Sequence, residues 1–548
     1  MALVPSYVKC SMAGGVLLIT CAVLWFLLFS QRACSQGSGL IVQTRDGRVS
    51  GAAVSWQGHT LRAFYAIPFA LPPVDDLRFQ PPINPKPWKH ILSASHGMSA
   101  PCMQRLGESR LPVHVKSLQN ASEDCLYLNV WTPVKDEKKR PVVVLIHGGF
   151  LSTGSTSSPL YDGLTLAAVG KVVVVTMNYR LGVFGFLDAG HKDAPGNVGL
   201  QDQRLALIWV KRNVAFFGGD PSKVTLVGVS GGAVSVGAHL ASPGSRGLFH
   251  AAVMDGACAY SPGFVESSYR SLIRANKLAA IVGCARLGMD LNSHPGKVLF
   301  CLRTKPAAEL LLAQDEVAKN EWTSFHVTYG NLILPKRPQQ SKHLNVPLLI
   351  GTAANEGSIF VSPRQQDTDR VSNRSEALKY ATMLLSQFDI QVPSTGVRLE
   401  PYLTDTPKDP RTLASDIFGD AVLQCPCQQF AADHAAHGND VYVYRFCYPS
   451  ASLSVPEWMG VPHSSAFWFI SGVPLRMTDR FEDQDKELSN HMIRLLGHFA
   501  RHKKPGSFLE QEWPPFTCKK DPIMHLHPSA TEVREDERNH YCEYWTTS

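Results

Sequence analysis

Short runs of β-branched and aliphatic residues alternate along the chain with longer segments of helical periodicity. The clearest runs, at 142–146, 172–176, 224–227, 348–350 and 441–446, are nearly continuous in Val, Ile, Leu or Tyr. Continuous runs of this kind are typical of parallel strands buried on both faces. At 485–501, five apolar residues recur at helical spacing, which predicts an amphipathic helix: Leu488, Met492, Leu495, Leu496 and Phe499. The pattern therefore predicts an α/β fold with a mostly parallel central sheet and helices on both faces.

No internal repeat, low-complexity tract or long Pro/Gly/Ser linker divides the chain, so residues 36–548 are predicted to form a single domain. Segment 262–318 is mostly helical in pattern and contains no strong strand. It predicts a helical insertion over the carboxyl edge of the sheet, where such insertions commonly cover an active site. After Phe516 the sequence becomes polar, which predicts a surface segment that Cys542 ties down.

The N-terminal segment has the layout of a secretory signal peptide. Lys9 precedes an apolar run at 16–29, and small residues follow at 33–35, which predicts a signal peptide over residues 1–35. The alternative is an uncleaved anchor, because 14–30 is close to the minimum length that spans a bilayer. No other segment approaches eighteen apolar residues. Both interpretations place the body of the protein on the extracellular side or in the lumen of the endoplasmic reticulum, and cleavage of the signal peptide predicts a secreted protein.

Composition narrows the classes of function. Hydrophobic residues make up 44% and charged residues 18% of the chain, which is typical of a globular protein. The net charge of +7 is spread along the sequence and does not favour a nucleic-acid groove. Ten of thirteen cysteines lie beyond the leader without metal-site spacing, so disulfides are predicted and no metal or cofactor is. Sequons at Asn120 and Asn373 predict glycosylation in that compartment.

The motif that carries chemistry is Gly-Val-Ser-Gly-Gly at 228–232. It stands between the run at 224–227 and a helical stretch at 233–240, which is the strand, turn and helix order that a G-x-S-x-G nucleophile elbow requires. The alternative is a glycine-rich turn with an incidental serine. As a nucleophile, Ser230 needs a base, and the base needs an acid that fixes its tautomer. With twenty histidines in the chain, composition does not choose the base.

Several long motifs resemble the type-B carboxylesterase and cholinesterase family. They are Gly-Asn-Val-Gly-Leu-Gln-Asp-Gln-Arg at 196–204, Phe-Phe-Gly-Gly-Asp at 216–220, Glu-Asp-Cys-Leu-Tyr-Leu-Asn at 123–129, Asn-Tyr-Arg-Leu-Gly at 178–182 and Pro-Glu-Trp-Met-Gly-Val at 456–461. The resemblance covers about residues 40–545 and implies an α/β-hydrolase fold.

The resemblance also implies a catalytic triad in the chain order serine, acid, histidine. The nucleophile would be Ser230. The acid would be Glu356, just beyond the run at 348–350, and the base would be His463, which follows the Pro-Glu-Trp-Met-Gly-Val motif. Taken alone, Glu356 could be a solvated loop carboxylate and His463 a packed core residue.

The amides of Gly149, Phe150 and Gly231 are implied as the oxyanion hole. Here the chain departs from the family, which usually has glycine where this chain has Phe150. The family also usually has glutamate and alanine on either side of the serine, where this chain has Val229 and Gly231. Without the glutamate, the imidazolium formed during acylation has less electrostatic support, so slower turnover is expected.

Three bridges follow from the resemblance: Cys102–Cys125, Cys284–Cys301 and Cys425–Cys542. Four cysteines remain without family partners, namely Cys258, Cys427, Cys447 and Cys518. Cholinesterases carry, in the loop of the first bridge, a tryptophan that holds a quaternary ammonium by cation–π attraction. Residues 103–124 contain no aromatic Trp, Tyr or Phe, which disfavours a choline ester.

The sequence therefore predicts serine-dependent hydrolysis of a small-molecule carboxylic ester through an acyl-enzyme. No nucleic acid is expected as a partner, membrane contact is expected only if the leader is uncleaved, and a homodimer is left open. The alternative is a catalytically weak or inactive cell-surface binding protein on the same scaffold, as in the neuroligin-like branch. Such relatives generally lack the serine, whereas Ser230, Glu356 and His463 are all present.

Overall fold

A computed structural model describes residues 40–105, 120–134, 139–319, 325–361, 371–392, 397–404, 409–517, 521–535 and 538–546. The predicted leader and Cys518 lie outside these residues. Within them, an eleven-stranded central sheet has the spatial order β11-β10-β9-β8-β7-β6-β4-β5-β3-β2-β1. In chain order the strands are β1 Ala52–Trp56, β2 His59–Pro68, β3 Tyr127–Pro133, β4 Arg140–Ile146, β5 Val173–Met177, β6 Gly219–Val229, β7 Ala251–Asp255, β8 Leu348–Ala353, β9 Val441–Phe446, β10 Pro522–Leu526 and β11 Glu532–Glu535.

The strands from β10 to β5 are parallel, and the pairs at the two ends of the sheet are antiparallel. The predicted α/β-hydrolase fold is confirmed. Every predicted run lies within a strand except for Val172, which stands one residue before β5. In β4, side chains alternate between two hydrophobic clusters, with Val142, Val144 and Ile146 in one and Val143 and Leu145 in the other. Both faces of the sheet are therefore covered, which explains the continuous apolar runs.

Helices pack on both faces of the sheet. Their bounds are Leu164–Gly170, Gly182–Phe186, Val198–Asn213, Gly231–Ala241, Ser268–Ile281, Pro295–Thr304, Ala307–Val317, Ser358–Val361, Arg374–Ser386, Pro410–Gly419, Cys425–Ala436, Ser465–Ile470, Val473–Arg476, Asp483–His502 and Asn539–Thr546. The predicted helix at 485–501 is confirmed as Asp483–His502, with its five apolar residues buried. None of the helices described is long and apolar enough to cross a membrane.

Short strands lie outside the central sheet at Ile41–Gln43, Arg48–Ser50, Ile91–Ser93, Asp188–His191, Ala194–Pro195, Val265–Ser267, Val327–Tyr329, Ser507–Phe508 and Gln511–Glu512. One of them lies inside segment 262–318, for which the sequence predicted a helical insertion without a strong strand. Val265–Ser267 pairs in parallel with Val327–Tyr329, and three helices follow it. Its partner lies sixty residues along the chain, so local periodicity gave no sign of the pairing.

The prediction that the chain after Phe516 runs over the surface was wrong. Residues Pro522–Leu526 form β10, which pairs in parallel with β9, and Ile523, Met524 and Leu526 are buried. β11 then adds an antiparallel strand at the edge of the sheet. This apolar strand is short and has charged residues on either side, so the local pattern did not predict it. Its burial depends on β9, about eighty residues earlier in the chain.

The structure contains the three bridges Cys102–Cys125, Cys284–Cys301 and Cys425–Cys542. The last joins two helices across 117 residues. The C-terminal helix is also held by an ion pair between Arg538 and Asp420, and by a 2.9 Å hydrogen bond that Trp545 Nε1 donates to the Tyr402 hydroxyl. Among the cysteines that the structure describes, Cys258 and Cys427 are buried free thiols.

We expect Cys542→Ser to lower the free energy of unfolding by about 2–5 kcal/mol, because a bridge across a long loop removes much conformational entropy from the unfolded chain. Cys301→Ser is the matched control, since its bridge spans only 17 residues. Chain entropy makes its loss roughly 1–2 kcal/mol smaller. Chemical denaturation of both variants provides the comparison, and a larger loss for Cys301→Ser would contradict the loop-length argument.

Candidate active site

The turn that carries Ser230 joins β6 to the helix Gly231–Ala241. Ser230 has φ 54° and ψ −125°, a backbone conformation that residues other than glycine rarely adopt. Its amide donates a 2.8 Å hydrogen bond to the Asp255 carbonyl in the neighbouring strand, which holds the turn. A Cβ at Gly228 would lie 2.2 Å from the Gly232 carbonyl oxygen, so glycine is required for strand and helix to pass this closely. The turn has the conformation expected of a nucleophile elbow.

The loop after β4 lies directly against this elbow. An ideal Cβ on Gly231 would stand 3.1 Å from the amide nitrogen of Phe150 and 2.9 Å from that of Leu151. Both residues have positive φ, at 56° and 58°. The Gly149 carbonyl accepts hydrogen bonds from the amides of Ser152 and Thr153, at 3.0 and 2.8 Å, which fixes the turn. The structure thus brings Gly149, Phe150 and Gly231 together, with two consecutive bulky residues in a left-handed conformation.

Glu356 and His463 meet on two loops that are tied to each other. His463 Nδ1 contacts Glu356 Oε2, and the Ala353 amide donates a 2.6 Å hydrogen bond to Oε1 of the same carboxylate. The Asn355 side chain accepts a 3.0 Å hydrogen bond from the Val461 amide, which joins the loops. Because both Glu356 oxygens accept hydrogen bonds, the carboxylate is fixed where it can orient the imidazole.

The second ring nitrogen of His463, Nε2, is the atom that would accept the proton of the serine hydroxyl. Nε2 is buried and has no hydrogen-bond partner among the residues that the structure describes. Ser230 is 6% exposed and His463 is 5% exposed, so both groups are almost withdrawn from solvent. The acid and the base are therefore aligned, while the hydrogen bond from Ser230 Oγ to His463 is not formed. Such bonds are often long in a site without substrate and tighten when it binds.

Another histidine near the elbow, His147, is held neutral. Burial lowers the pKa of His147 to about 4, and its ring stacks on Tyr179 at a centroid distance of 4.4 Å. Its Nδ1 lies 2.9 Å from the Gly148 carbonyl oxygen. His147 supports the loop after β4 as a packed side chain and adds no charge to the site.

Phenylalanine rings form a wall beside the imidazole. The Phe150 ring stacks on Phe264 and meets Phe360 edge to face, both at 5.6 Å between centroids. The Phe360 ring lies 5.4 Å from His463, and Phe418 packs behind it at 4.8 Å. Phe150 is half-buried, whereas Phe264, Phe360 and Phe418 are buried. We call these four residues the aromatic wall; its rings lie along the imidazole side of the site.

Sequence reasoning missed a carboxyl group in this site. Asp255 ends β7, is 2% exposed, and accepts a 2.6 Å hydrogen bond from the Tyr444 hydroxyl. The next residue, Gly256, lies so close to the imidazole that a Cβ there would be 2.8 Å from His463 Cε1. An acidic residue directly after the apolar run 251–254 was the available signal, since functional groups collect at the carboxyl ends of parallel strands.

Comparison with known proteins agrees with this architecture. Residues 38–545 match the model of a family described as "Carboxylesterase family". The chain is similar to Acetylcholinesterase-1 of Trittame loki, with 33% identity over 535 residues that cover 93% of this chain and 95% of that protein.

The predicted glycosylation sites, Asn120 and Asn373, are both exposed.

Proposed function

Since the chain belongs to the carboxylesterase family, we propose that it is a secreted serine hydrolase of carboxylic esters with small acyl groups. The observation that carries this proposal is the buried contact of His463 with Glu356, beside the elbow that holds Ser230. A buried carboxylate bonded to a histidine is the pair that activates a serine. The three disulfides, together with the leader predicted from the sequence, support an oxidising compartment.

In the proposed mechanism, Ser230 Oγ attacks the ester carbonyl carbon while His463 Nε2 accepts the hydroxyl proton. Glu356 holds the tautomer and stabilises the imidazolium. The amides of Gly149, Phe150 and Gly231 donate to the oxyanion of the tetrahedral intermediate. His463 then protonates the leaving alcohol, and water, activated by the same histidine, hydrolyses the acyl-enzyme to release the acid.

The test is labelling with a fluorophosphonate, followed by mapping of the modified peptide by mass spectrometry. We expect a single adduct on Ser230, because the probe reacts with a serine only when a neighbouring base activates it. The control is the same protein with His463→Gln, in which labelling should be lost while the fold persists. Absence of labelling in the native protein would favour the binding-protein interpretation.

We expect a choline ester to have no advantage over a neutral one. The reason is that residues 103–124 contain no Trp, Tyr or Phe; most of that segment, 106–119, lies outside the described residues. Acetylthiocholine and its uncharged isostere, 3,3-dimethylbutyl thioacetate, should be hydrolysed with kcat/KM values within about 3-fold of each other. Cation–π recognition of about 1–2 kcal/mol would instead favour acetylthiocholine by roughly 5–30-fold, and that result would contradict this prediction.

A further inference from the structure

Asp255 belongs to a row of residues that crosses four strands. Val229 in β6 is in register with Asp255 in β7, which is followed in the row by Gly351 in β8 and Tyr444 in β9. Gly351 leaves room for the tyrosine, since a Cβ there would lie 2.3 Å from ring atoms of Tyr444. The Tyr444 ring thus passes over β8 and its hydroxyl reaches Asp255 Oδ1 at 2.6 Å. This geometry fixes one carboxyl oxygen and leaves the other free to face the site.

The free oxygen, Asp255 Oδ2, is buried and has no hydrogen-bond partner in the described part of the chain. A buried carboxylate oxygen without a partner is costly, and such groups recur at functional sites. Burial is the main cause that raises the pKa of Asp255 to about 7, and the charge of Glu356 raises it further. The hydrogen bond from Tyr444 and the charge of His463 act in the opposite direction. Asp255 therefore interacts with both Glu356 and His463.

We propose that Asp255 is a positioning residue of the esterase, whose carboxylate stabilises the His463 imidazolium during acylation. This inference rests on the proposed function. It explains how the site works with Val229 where the family usually has glutamate, because Asp255 is the cross-strand neighbour of Val229. Side chains in register on adjacent strands lie about 5 Å apart. Asp255 therefore supplies a negative charge one strand away from the position where the family usually has the glutamate.

Ionisable groups surround Asp255 on several elements. They are Tyr444 on β9, Glu356 after β8, His463 before the helix Ser465–Ile470, Cys427 on the helix Cys425–Ala436 and Tyr161 near the loop after β4. The tyrosines and the thiol stay protonated near neutral pH, since burial raises the pKa of Tyr161, Tyr444 and Cys427. The charges that act on Asp255 are thus those of Glu356 and His463.

The test is Asp255→Asn, which keeps the size of the side chain and an oxygen for Tyr444. With p-nitrophenyl acetate at pH 8, we expect kcat to fall about 10-fold while KM changes less than 2-fold, because charge stabilisation acts in the transition state. Because the pKa of Asp255 is raised to about 7, its carboxylate forms only towards neutral pH, and log(kcat/KM) of the wild type should rise more steeply on the acid side than that of the variant. The variant lacks this ionisation, so its profile should rise less steeply there.

Tyr444→Phe provides a second measurement. Removing the hydrogen bond raises the pKa of Asp255, so the acid side of the profile should move to higher pH. Tyr442→Phe on the same strand is the matched control, because Tyr442 packs against Phe499 away from the site, and its profile should equal the wild type.

Thermal melting separates this role from a purely structural one. The pKa of Asp255 is about 7 in the folded chain and about 3.9 in an unfolded one. The folded state therefore binds more protons between these values, and the wild type loses stability as pH rises from about 4 to about 7. Asp255→Asn lacks this loss, so its melting temperature should rise above that of the wild type across this range.

A variant that is less active and more stable at pH 8 fits the inference. A slope and a kcat equal to the wild type, or a lower melting temperature at every pH, would overturn it. Ser230→Ala is run in parallel. If Ser230→Ala is inactive and Asp255→Asn behaves like the wild type, only the role of Asp255 fails; if Ser230→Ala retains activity, the proposed function itself fails.

Discussion

Ser230→Ala is expected to lower kcat for p-nitrophenyl acetate by roughly 10⁴–10⁶-fold, because removing the nucleophile abolishes the acyl-enzyme route. Residual hydrolysis would come from the oxyanion hole and from substrate binding. The Ser230 amide and its backbone angles hold the turn, and alanine keeps the amide, so folding should change little.

The measurement is initial-rate kinetics together with thermal melting on the same preparation. Ser235→Ala is the matched control, since this buried serine lies on the helix that follows the elbow and donates to the Gly231 carbonyl. We expect it to retain activity within a few fold. A Ser230→Ala protein that is folded and keeps most of its activity would show that another group is the nucleophile.

Gly231→Ala is expected to lower kcat by about 10²–10³-fold, even though alanine is the family's usual residue at this position. In this chain the new Cβ would stand 2.9 Å from the Leu151 amide nitrogen and 3.1 Å from that of Phe150. The loop would have to move away, and displacement of a donor from the oxyanion costs about 3–4 kcal/mol. The Phe150 ring resists that movement because it is packed between Phe264 and Phe360.

The two departures from the family are therefore expected to be coupled. In a Phe150→Gly background, Gly231→Ala should cost less than 10-fold, because the loop no longer carries a ring that holds it in place. Phe150→Gly alone should destabilise the fold by about 2–4 kcal/mol through the lost ring contacts, partly offset because glycine adopts positive φ without cost.

Kinetics of the two single variants and the double variant form the cycle. Gly296→Ala is the control for a new methyl group, since a Cβ there meets nothing within 4 Å. Equal costs of Gly231→Ala in both backgrounds would show that the loop and the elbow are independent. An unchanged kcat in the single variant would show that the loop yields without disturbing the oxyanion.

The sequence alone determined the elements whose pattern is local. Continuous apolar runs indicated strands covered on both faces, and the spacing of Leu488, Met492, Leu495, Leu496 and Phe499 indicated a helix; both are present. The Gly-Val-Ser-Gly-Gly motif predicted a strained turn, and Ser230 has positive φ. These predictions were confirmed because local sterics and burial on one face or two determine the pattern of neighbouring residues in the sequence.

The tertiary structure decided what depends on strands far apart in the chain. β10 was missed because its apolar residues are few and its partner, β9, lies about eighty residues earlier. Asp255 enters the site only through the register of β6, β7, β8 and β9, where Gly351 lets Tyr444 reach it. The close approach of the Phe150 loop to Gly231 likewise depends on packing between two loops. The sequence alone indicates which residue types are present. The register and packing of distant strands determine which charged groups and amides lie together in the site.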